Sequence, residues 1–136
     1  MLKTPFKTIG LIIRQSCDNH QQEIQKVCKS LSLYGDLLIH YLDNPVVSGE
    51  YTQVSLEQIG QQADLAVSVG GDGTLLKAAR HMVDFEIPLF GINLGRLGFL
   101  ADVTMDNLDN HLEDIFSGNF SVEKRFLLKG EIQMQD

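Results

Sequence analysis

Short apolar runs alternate with segments of helical periodicity along most of this 136-residue chain. The apolar runs at 7–13, 36–42, 64–69 and 88–93 predict four buried strands. The run at 64–69 is nearly all apolar, which is typical of a strand covered on both faces of its sheet. Strands that alternate with helices form parallel βαβ units. The order therefore predicts an open, mostly parallel α/β sheet with helices on both faces.

Four segments between and after these runs have the features of helices. A first helix has Ile24, Val27, Cys28 and Leu31 on one face and ends near Gly35. Ser55 and Gln58 form a capping-box pair that opens a second, short helix. A third helix follows Gly73 with Leu75, Ala79 and Met82 on one face, and a fourth carries Leu108, Leu112, Ile115 and Phe116, capped near Thr104 and closed by Gly118. Residues 43–54 contain turn residues and lack the hydrophobic periodicity of a helix or strand, which predicts a loop.

The last residues break the alternation of strands and helices. Residues 121–134, "SVEKRFLLKGEIQM", predict a strand with a turn near Gly130. We therefore expect residues 1–120 to form the α/β domain and residues 121–136 to begin a β-rich second domain that this chain does not complete.

Composition excludes several classes of function. The formal net charge of −7 argues against a general nucleic-acid surface, because such a surface needs a basic face. No stretch approaches the length of a membrane span, and the first apolar run is too short for a signal peptide. Cys17 and Cys28 lack metal or redox spacing, which favours reduced thiols in a cytoplasmic protein. The histidines are scattered and predict no metal site: His20, His40, His81 and His111.

One segment carries chemistry: "SVGGDGTLLKAAR", residues 68–80, where a buried strand meets glycines and a helix. Ligands of open α/β sheets bind at the carboxyl ends of strands, where this loop lies. Glycine lets the backbone approach phosphates, and a helix amino terminus favours anions. A dinucleotide fingerprint starting at Gly71 would need glycine where Leu76 stands, and no GxxxxGK[ST] loop occurs. The loop therefore predicts a phosphate site of another kind.

Asp72 lies between the glycines of this loop. A carboxylate binds phosphate poorly, but it can accept the proton of an attacking hydroxyl or hold a metal that travels with phosphates. The alternative is a tight turn between strand and helix in which Asp72 only caps the helix. The residue pattern by itself leaves both interpretations open.

The stretch "GGDGT", residues 70–74, resembles the signature shared by NAD kinases, diacylglycerol and sphingosine kinases and, with serine last, phosphofructokinases. "LLKAAR" (75–80) and "GINLGRLGFLADV" (91–103) resemble the bacterial NAD kinases, and the resemblance extends from "TIGLIIR" to "EKRFLLKGEI". It implies a phosphofructokinase-like or Rossmann-like domain. It also implies transfer of the terminal phosphoryl group of ATP or polyphosphate, with Mg²⁺ accompanying ATP, to the adenosine ribose 2′-hydroxyl of NAD, which makes NADP.

The resemblance also implies residue roles. Asp72 resembles the proton acceptor and NAD contact, with Gly73 and Lys77, expected in the first turn of the helix, as further NAD contacts. The phosphate loop would be Gly70, Gly71, Gly73 and Thr74, and Asn93 and Gly95 would form a supporting turn. Phe99 resembles the residue whose ring packs by the adenine. Without the resemblance, Lys77 could equally be a solvated helix residue, and Phe99 could be an ordinary core residue. We expect Arg80 and Arg96 to be surface charges.

Family members carry an asparagine–glutamate pair and a later segment rich in glycine, serine and threonine, which residues 1–136 lack. The resemblance therefore implies an amino-terminal fragment, inactive alone, of an enzyme that assembles into a homo-oligomer through its second domain. Two other functions stay open: a diacylglycerol-type lipid kinase of the same superfamily, and a nucleotide-binding module without catalysis.

Overall fold

A computed structural model of the chain describes residues 6–14, 21–42, 51–94 and 103–117. Within these ranges one sheet has the strand order β3-β2-β1-β4-β5-β6, and every neighbouring pair is parallel. The strands are β1 (Thr8–Ile13), β2 (Asp36–Tyr41), β3 (Thr52–Gln53), β4 (Leu65–Gly70), β5 (Leu89–Asn93) and β6 (Val103–Thr104). The helices are α1 (Gln21–Ser32), α2 (Leu56–Gln62), α3 (Asp72–Met82) and α4 (Leu108–Phe116). The predicted parallel α/β architecture is confirmed.

Both faces of the sheet are covered by helices, as its apolar strands require. Successive side chains of a strand point to opposite faces. In β1, Leu11 and Ile13 therefore join the core formed with α1 and α4, whereas Ile12 joins the core formed with α2 and α3. These three side chains are fully buried.

An aromatic cluster fixes the end of α4 against the first core. The ring of Phe116 stacks on Tyr34, with ring centres 4.5 Å apart, and meets the edge of Phe6 at 6.0 Å. Aromatic pairs in these geometries add about 0.5–1.5 kcal/mol beyond the area that they bury. The cluster therefore joins the last described helix to the segment that leads into β1.

The structure differs from the sequence prediction at the sheet edges. The predicted loop 43–54 contains the two-residue strand β3, and the sequence pattern does not predict β6. Thr104 does open a capping box, but for a short 3₁₀ turn, Met105–Asn107, that precedes α4. Strands of two residues carry too little pattern for sequence to reveal. The predicted strand at 121–134, its turn and the domain boundary at 120 lie outside the described residues.

The buried face of α3 also differs from the prediction. Thr74, Ala78 and Met82 are buried, whereas Leu75 and Ala79 are only half-buried. The helix begins at Asp72, and the face turned to the sheet is the one that holds Thr74 beneath Gly70. A polar residue thus occupies a core position that apolar periodicity alone does not identify.

A glycine in α2 allows close packing against the end of α3. Gly60 is buried, and a β-carbon there would overlap the ring of Phe85, which lies in the 3₁₀ turn Val83–Phe85 after α3. Helices that approach this closely need a residue without a side chain at the contact. Gly60 therefore sets the distance between the two helices on this face of the sheet.

We expect Gly60→Ala to destabilise the chain. Alanine normally stabilises a helix interior by about 1 kcal/mol relative to glycine, but overlap with the Phe85 ring should outweigh this and cost about 1–3 kcal/mol net. Thermal unfolding measures the effect, with Gln61→Ala at the exposed next position as the control. Adding Phe85→Leu should restore part of the loss. A higher Tm for Gly60→Ala would contradict this account of the packing.

Candidate functional site

The centre of the sheet is a topological switch point. From β1 the chain passes through α1 to β2 on one side, and from β4 it passes through α3 to β5 on the other. Strands β1 and β4 are neighbours, so their outgoing connections separate and leave a crevice at the carboxyl ends. Open α/β sheets bind ligands in such a crevice.

Two segments border this crevice. Arg14 directly follows β1, and its backbone N–H donates to the carbonyl oxygen of Val69 at 3.1 Å. Gly71 directly follows β4 and is the N-cap residue of α3. The topology therefore brings a cation and the glycine-rich loop to the same place, although they are far apart in the sequence.

Gly70 and Gly71 meet different surroundings. A β-carbon on Gly70 would lie 2.5 Å from Oγ1 of Thr74, and the φ of Gly70 is +158°. A β-carbon on Gly71, whose φ is −132°, would have no atom of the described residues within 4 Å. Gly70 is therefore required by packing, whereas Gly71 leaves open space above the start of α3.

Thr74 is only 2% exposed, and its Oγ1 has no hydrogen-bond partner in the part of the chain that the structure describes. Buried hydroxyl groups usually have a partner, and an unpaired one costs stability. This oxygen lies directly beneath Gly70. An unpaired polar atom is thus packed against the glycine loop.

Asp72 is the first residue of α3 and is half-buried. The N-cap position belongs to Gly71, which offers no side-chain capping hydrogen bond. Asp72 is therefore not the capping residue of the helix. Its carboxylate still lies in the first turn, where the positive end of the helix favours negative charge.

Gly73 and Lys77 lie on one face of α3, because residues four apart are neighbours on a helix. Gly73 is exposed, and Nη1 of Arg14 lies 4.0 Å from the place of a β-carbon on Gly73. Lys77 is exposed and stands in the second turn, so its expected place in the first turn is wrong. It lies about 7.5 Å along the axis from Asp72.

Asn93 ends β5 directly beside the glycine loop. It is 4% exposed and pairs in register with Gly70, whose carbonyl oxygen accepts a hydrogen bond from the N–H of Leu94 at 3.0 Å. The structure thus brings Asn93 to the loop. Gly95 and Phe99, the other residues expected there, lie outside the described residues.

The sequence alone does not identify Arg14 as a site residue. The available signal is its position, since it immediately follows the predicted strand 7–13 and so lies at a carboxyl end. The pairing of β1 with β4, which places Arg14 beside Gly73, could not be deduced from the sequence.

Two other polar features lie apart from the crevice. Burial raises the pKa of Tyr41, and the neighbouring Cys28 thiol raises it further, so the phenol stays neutral. A shallow groove between β2 and the start of α2 contains His40, whose Nδ1 lies 2.9 Å from the carbonyl oxygen of Val54. Neither feature adjoins the glycine loop.

Two other kinds of feature are absent from the described ranges. No group of three or more histidine, cysteine, aspartate or glutamate side chains could hold a metal ion there. No helix among those residues is long and apolar enough to cross a membrane. Mg²⁺ that arrives with a nucleotide needs only one or two carboxylates besides the phosphates, and Asp72 is a residue of that type.

The fold and the crevice define an α/β domain of the class that binds ligands at a switch point between parallel strands. The ATP-NAD kinase N-terminal domain family matches residues 10–120. The chain belongs to the NAD kinase family. It is 51% identical over 131 residues to the NAD kinase of Nitrosomonas europaea, covering 93% of this chain and 44% of that protein.

Other comparisons agree with this assignment. The NAD kinase of Nitrosomonas eutropha is 42% identical over 136 residues, covering 97% of this chain and 45% of that protein. A crystal structure of yeast NADH kinase complexed with NADH matches with a TM-score of 0.69 at 16% identity, covering 86% of this chain and 40% of that one. This likeness supports the fold. The chain spans less than half the length of these relatives.

We expect alanine at the two glycines to have opposite effects on stability. Gly71→Ala places its methyl group in open space and should change the free energy of unfolding by less than about 0.5 kcal/mol. Gly70→Ala overlaps buried Thr74 and should cost about 1–3 kcal/mol. Denaturant unfolding of both variants measures the difference. Equal losses in the two variants would show that the fold itself requires both glycines.

Proposed function

We propose that this chain is the amino-terminal α/β part of an NAD kinase, which transfers the terminal phosphoryl group of ATP or polyphosphate to the 2′-hydroxyl of the adenosine ribose of NAD. The observation that carries the proposal is the place of Asp72. It begins α3 at the switch point, between Gly71, which leaves open space, and exposed Gly73. Family membership supports the choice of reaction.

Asp72 is the general base in this proposal. The 2′-oxygen of the ribose attacks the terminal phosphorus, the bond from phosphorus to the leaving oxygen breaks, and a carboxylate oxygen of Asp72 takes the hydroxyl proton. A carboxylate is too weak a base to ionise a sugar hydroxyl beforehand. It can accept the proton as the phosphoryl group arrives, which suits a loose transition state.

The start of α3 stabilises the phosphates. The first backbone N–H groups of a helix lack partners within the helix, and its dipole favours anions. Gly71 leaves room for phosphate oxygens above these groups. In the same proposal Gly70, Gly73 and Thr74 complete the phosphate loop, and Mg²⁺ accompanies the nucleotide and offsets the negative charge of its phosphates.

The remaining residue roles come from the family resemblance. Gly73 and Lys77 contact NAD, Phe99 packs by the adenine, and Asn93 and Gly95 form the turn that supports that segment. The exposure of Lys77 and its place on the face of Gly73 support a contact with ligand. The place of Asn93 beside Gly70 supports its part in the turn.

Two other functions can be distinguished by assay of the complete polypeptide. A lipid kinase of the same superfamily would phosphorylate diacylglycerol and not NAD. A nucleotide-binding module would bind NAD or ATP without turnover. The cytoplasmic location, the boundary at residue 120 and assembly through a second domain stay predictions.

We expect Asp72→Asn in the complete polypeptide to lower kcat about 10²–10⁴-fold, because it removes the general base. Asparagine keeps the shape of aspartate, so the free energy of unfolding should change by only about 1 kcal/mol. NAD affinity should partly survive, since the amide can still hydrogen-bond a ribose hydroxyl. Kinetics of NADP formation, NAD binding and thermal unfolding measure the three quantities. A kcat within a few-fold of the unaltered protein would exclude Asp72 as the base.

We expect the isolated 136-residue chain to form little or no NADP from NAD, ATP and Mg²⁺, because it spans less than half the length of its relatives. The complete polypeptide, assayed under the same conditions, is the positive control. Turnover of the isolated chain near that of the complete polypeptide would show that residues 1–136 contain the whole active site.

A further inference from the structure

Arg14 directly follows β1 and lies at the crevice, across from the glycine loop that follows β4. Its backbone is held by the hydrogen bond to Val69, and its side chain is exposed. Nη1 of its guanidinium lies 4.0 Å from the place of a β-carbon on Gly73. The charge of Arg14 therefore stands beside the first turn of α3.

Two features of α3 act on this guanidinium: the positive end of the helix repels it, and the Asp72 carboxylate in the same first turn attracts it. The amino terminus of a helix carries about half a positive charge, so a cation is favoured at the opposite end. An anion placed between Arg14 and the start of α3 would be attracted by both.

A second observation in the same turn of α3 indicates a missing partner. The buried Oγ1 of Thr74, a residue only 2% exposed, has no hydrogen-bond partner among the described residues. Folded proteins rarely leave a buried hydroxyl unpaired, and such groups mark places where a ligand or water completes the structure. The first turn of α3 therefore holds an unpaired hydroxyl, and the exposed Arg14 guanidinium stands beside the same turn.

Position 73 carries no side chain beside the Arg14 guanidinium. A β-carbon there would lie 4.0 Å from Nη1 of Arg14, an ordinary van der Waals contact. Phosphate oxygens accept hydrogen bonds of about 2.7–2.9 Å from a guanidinium, which can donate two at once. Because Arg14 and Gly73 are both exposed, a phosphate group can reach Arg14 on one side and the backbone N–H groups at the start of α3 on the other.

We propose that Arg14 binds phosphate oxygens of the phosphoryl donor in the crevice between β1 and β4. This inference rests on the proposed function, because that function determines which ligand supplies the phosphate beside Arg14. If Asp72 holds the attacking hydroxyl, the transferred phosphorus must lie about 3–3.5 Å from that oxygen. Gly73 is the next residue, so the phosphates of the donor pass close to Arg14 and Gly73.

The test compares Arg14→Gln and Arg14→Lys with a control of matched charge, Lys7→Gln. Lys7 is exposed and precedes β1, so it lies at the opposite edge of the sheet. The two positions are about 20 Å apart along the strand, beyond the screening length of about 8 Å at physiological ionic strength. If only the overall positive charge mattered, Arg14→Gln and Lys7→Gln would weaken phosphate binding equally. If Arg14 forms a phosphate site, only Arg14→Gln weakens binding.

Titration calorimetry of the 136-residue chain measures the affinity for tripolyphosphate, ATP and NAD, with thermal unfolding as the check of folding. We expect Arg14→Gln to weaken tripolyphosphate and ATP binding about tenfold or more, since charged hydrogen bonds are lost. Arg14→Lys should restore part of the affinity, because it keeps the charge but not the planar fork. Lys7→Gln should leave all three affinities unchanged.

Three results would overturn the inference. They are no binding of tripolyphosphate by the unaltered chain, an Arg14→Gln affinity within about twofold of it, or a loss confined to NAD. In the complete polypeptide, NADP formation with an unchanged KM for ATP in Arg14→Gln would also overturn it. Failure of the proposed function is a different result: the unaltered protein makes no NADP from any donor, while tripolyphosphate binding still depends on Arg14.

Discussion

The pairing of β1 with β4 is the constraint on which the candidate site depends. These strands run parallel at the centre of the sheet, and the helices that follow them lead to opposite sides. Because the connections leave this pair in opposite directions, a crevice is expected at its carboxyl end, as in other open α/β sheets. Arg14 and the glycine loop are neighbours only because this pair forms. The other strands extend the sheet, but they do not create the crevice.

The glycines of the loop illustrate how one residue type can serve separate physical needs. Gly70 lies over a buried threonine and has no room for a side chain, whereas a β-carbon on Gly71 would meet no described atom within 4 Å. A β-carbon on Gly73 would lie 4.0 Å from Nη1 of Arg14, an ordinary contact. A sequence motif treats the three as equivalent. The structure separates the glycine that packing requires from the two at which a β-carbon has room.

Much of this arrangement could be predicted from the sequence. The four apolar runs are strands, and the capping box of Ser55 and Gln58 begins α2 as expected. Strands β3 and β6 could not be predicted, because two residues carry no usable period. The buried face of α3 is shifted by about one residue from the predicted face. Apolar periodicity misses it because the core position at the start of the helix is occupied by the polar residue Thr74. The motif draws attention to Asp72 as a candidate site residue, whereas the place of Arg14 depends on a pairing between distant segments.

That pairing also relates ligand binding to folding. Ile9 of β1 lies opposite Leu65 of β4, so a long stretch of chain must be ordered before the central pair can form. Contacts between distant segments form slowly, because the entropy cost of closing the intervening loop must be met before the contacts can form. A ligand that contacts the residues after both strands binds the native state and not the unfolded chain. At a concentration about 100 times its dissociation constant, such a ligand stabilises the folded state by about 2.7 kcal/mol, so occupancy of the crevice would itself help to keep this domain folded.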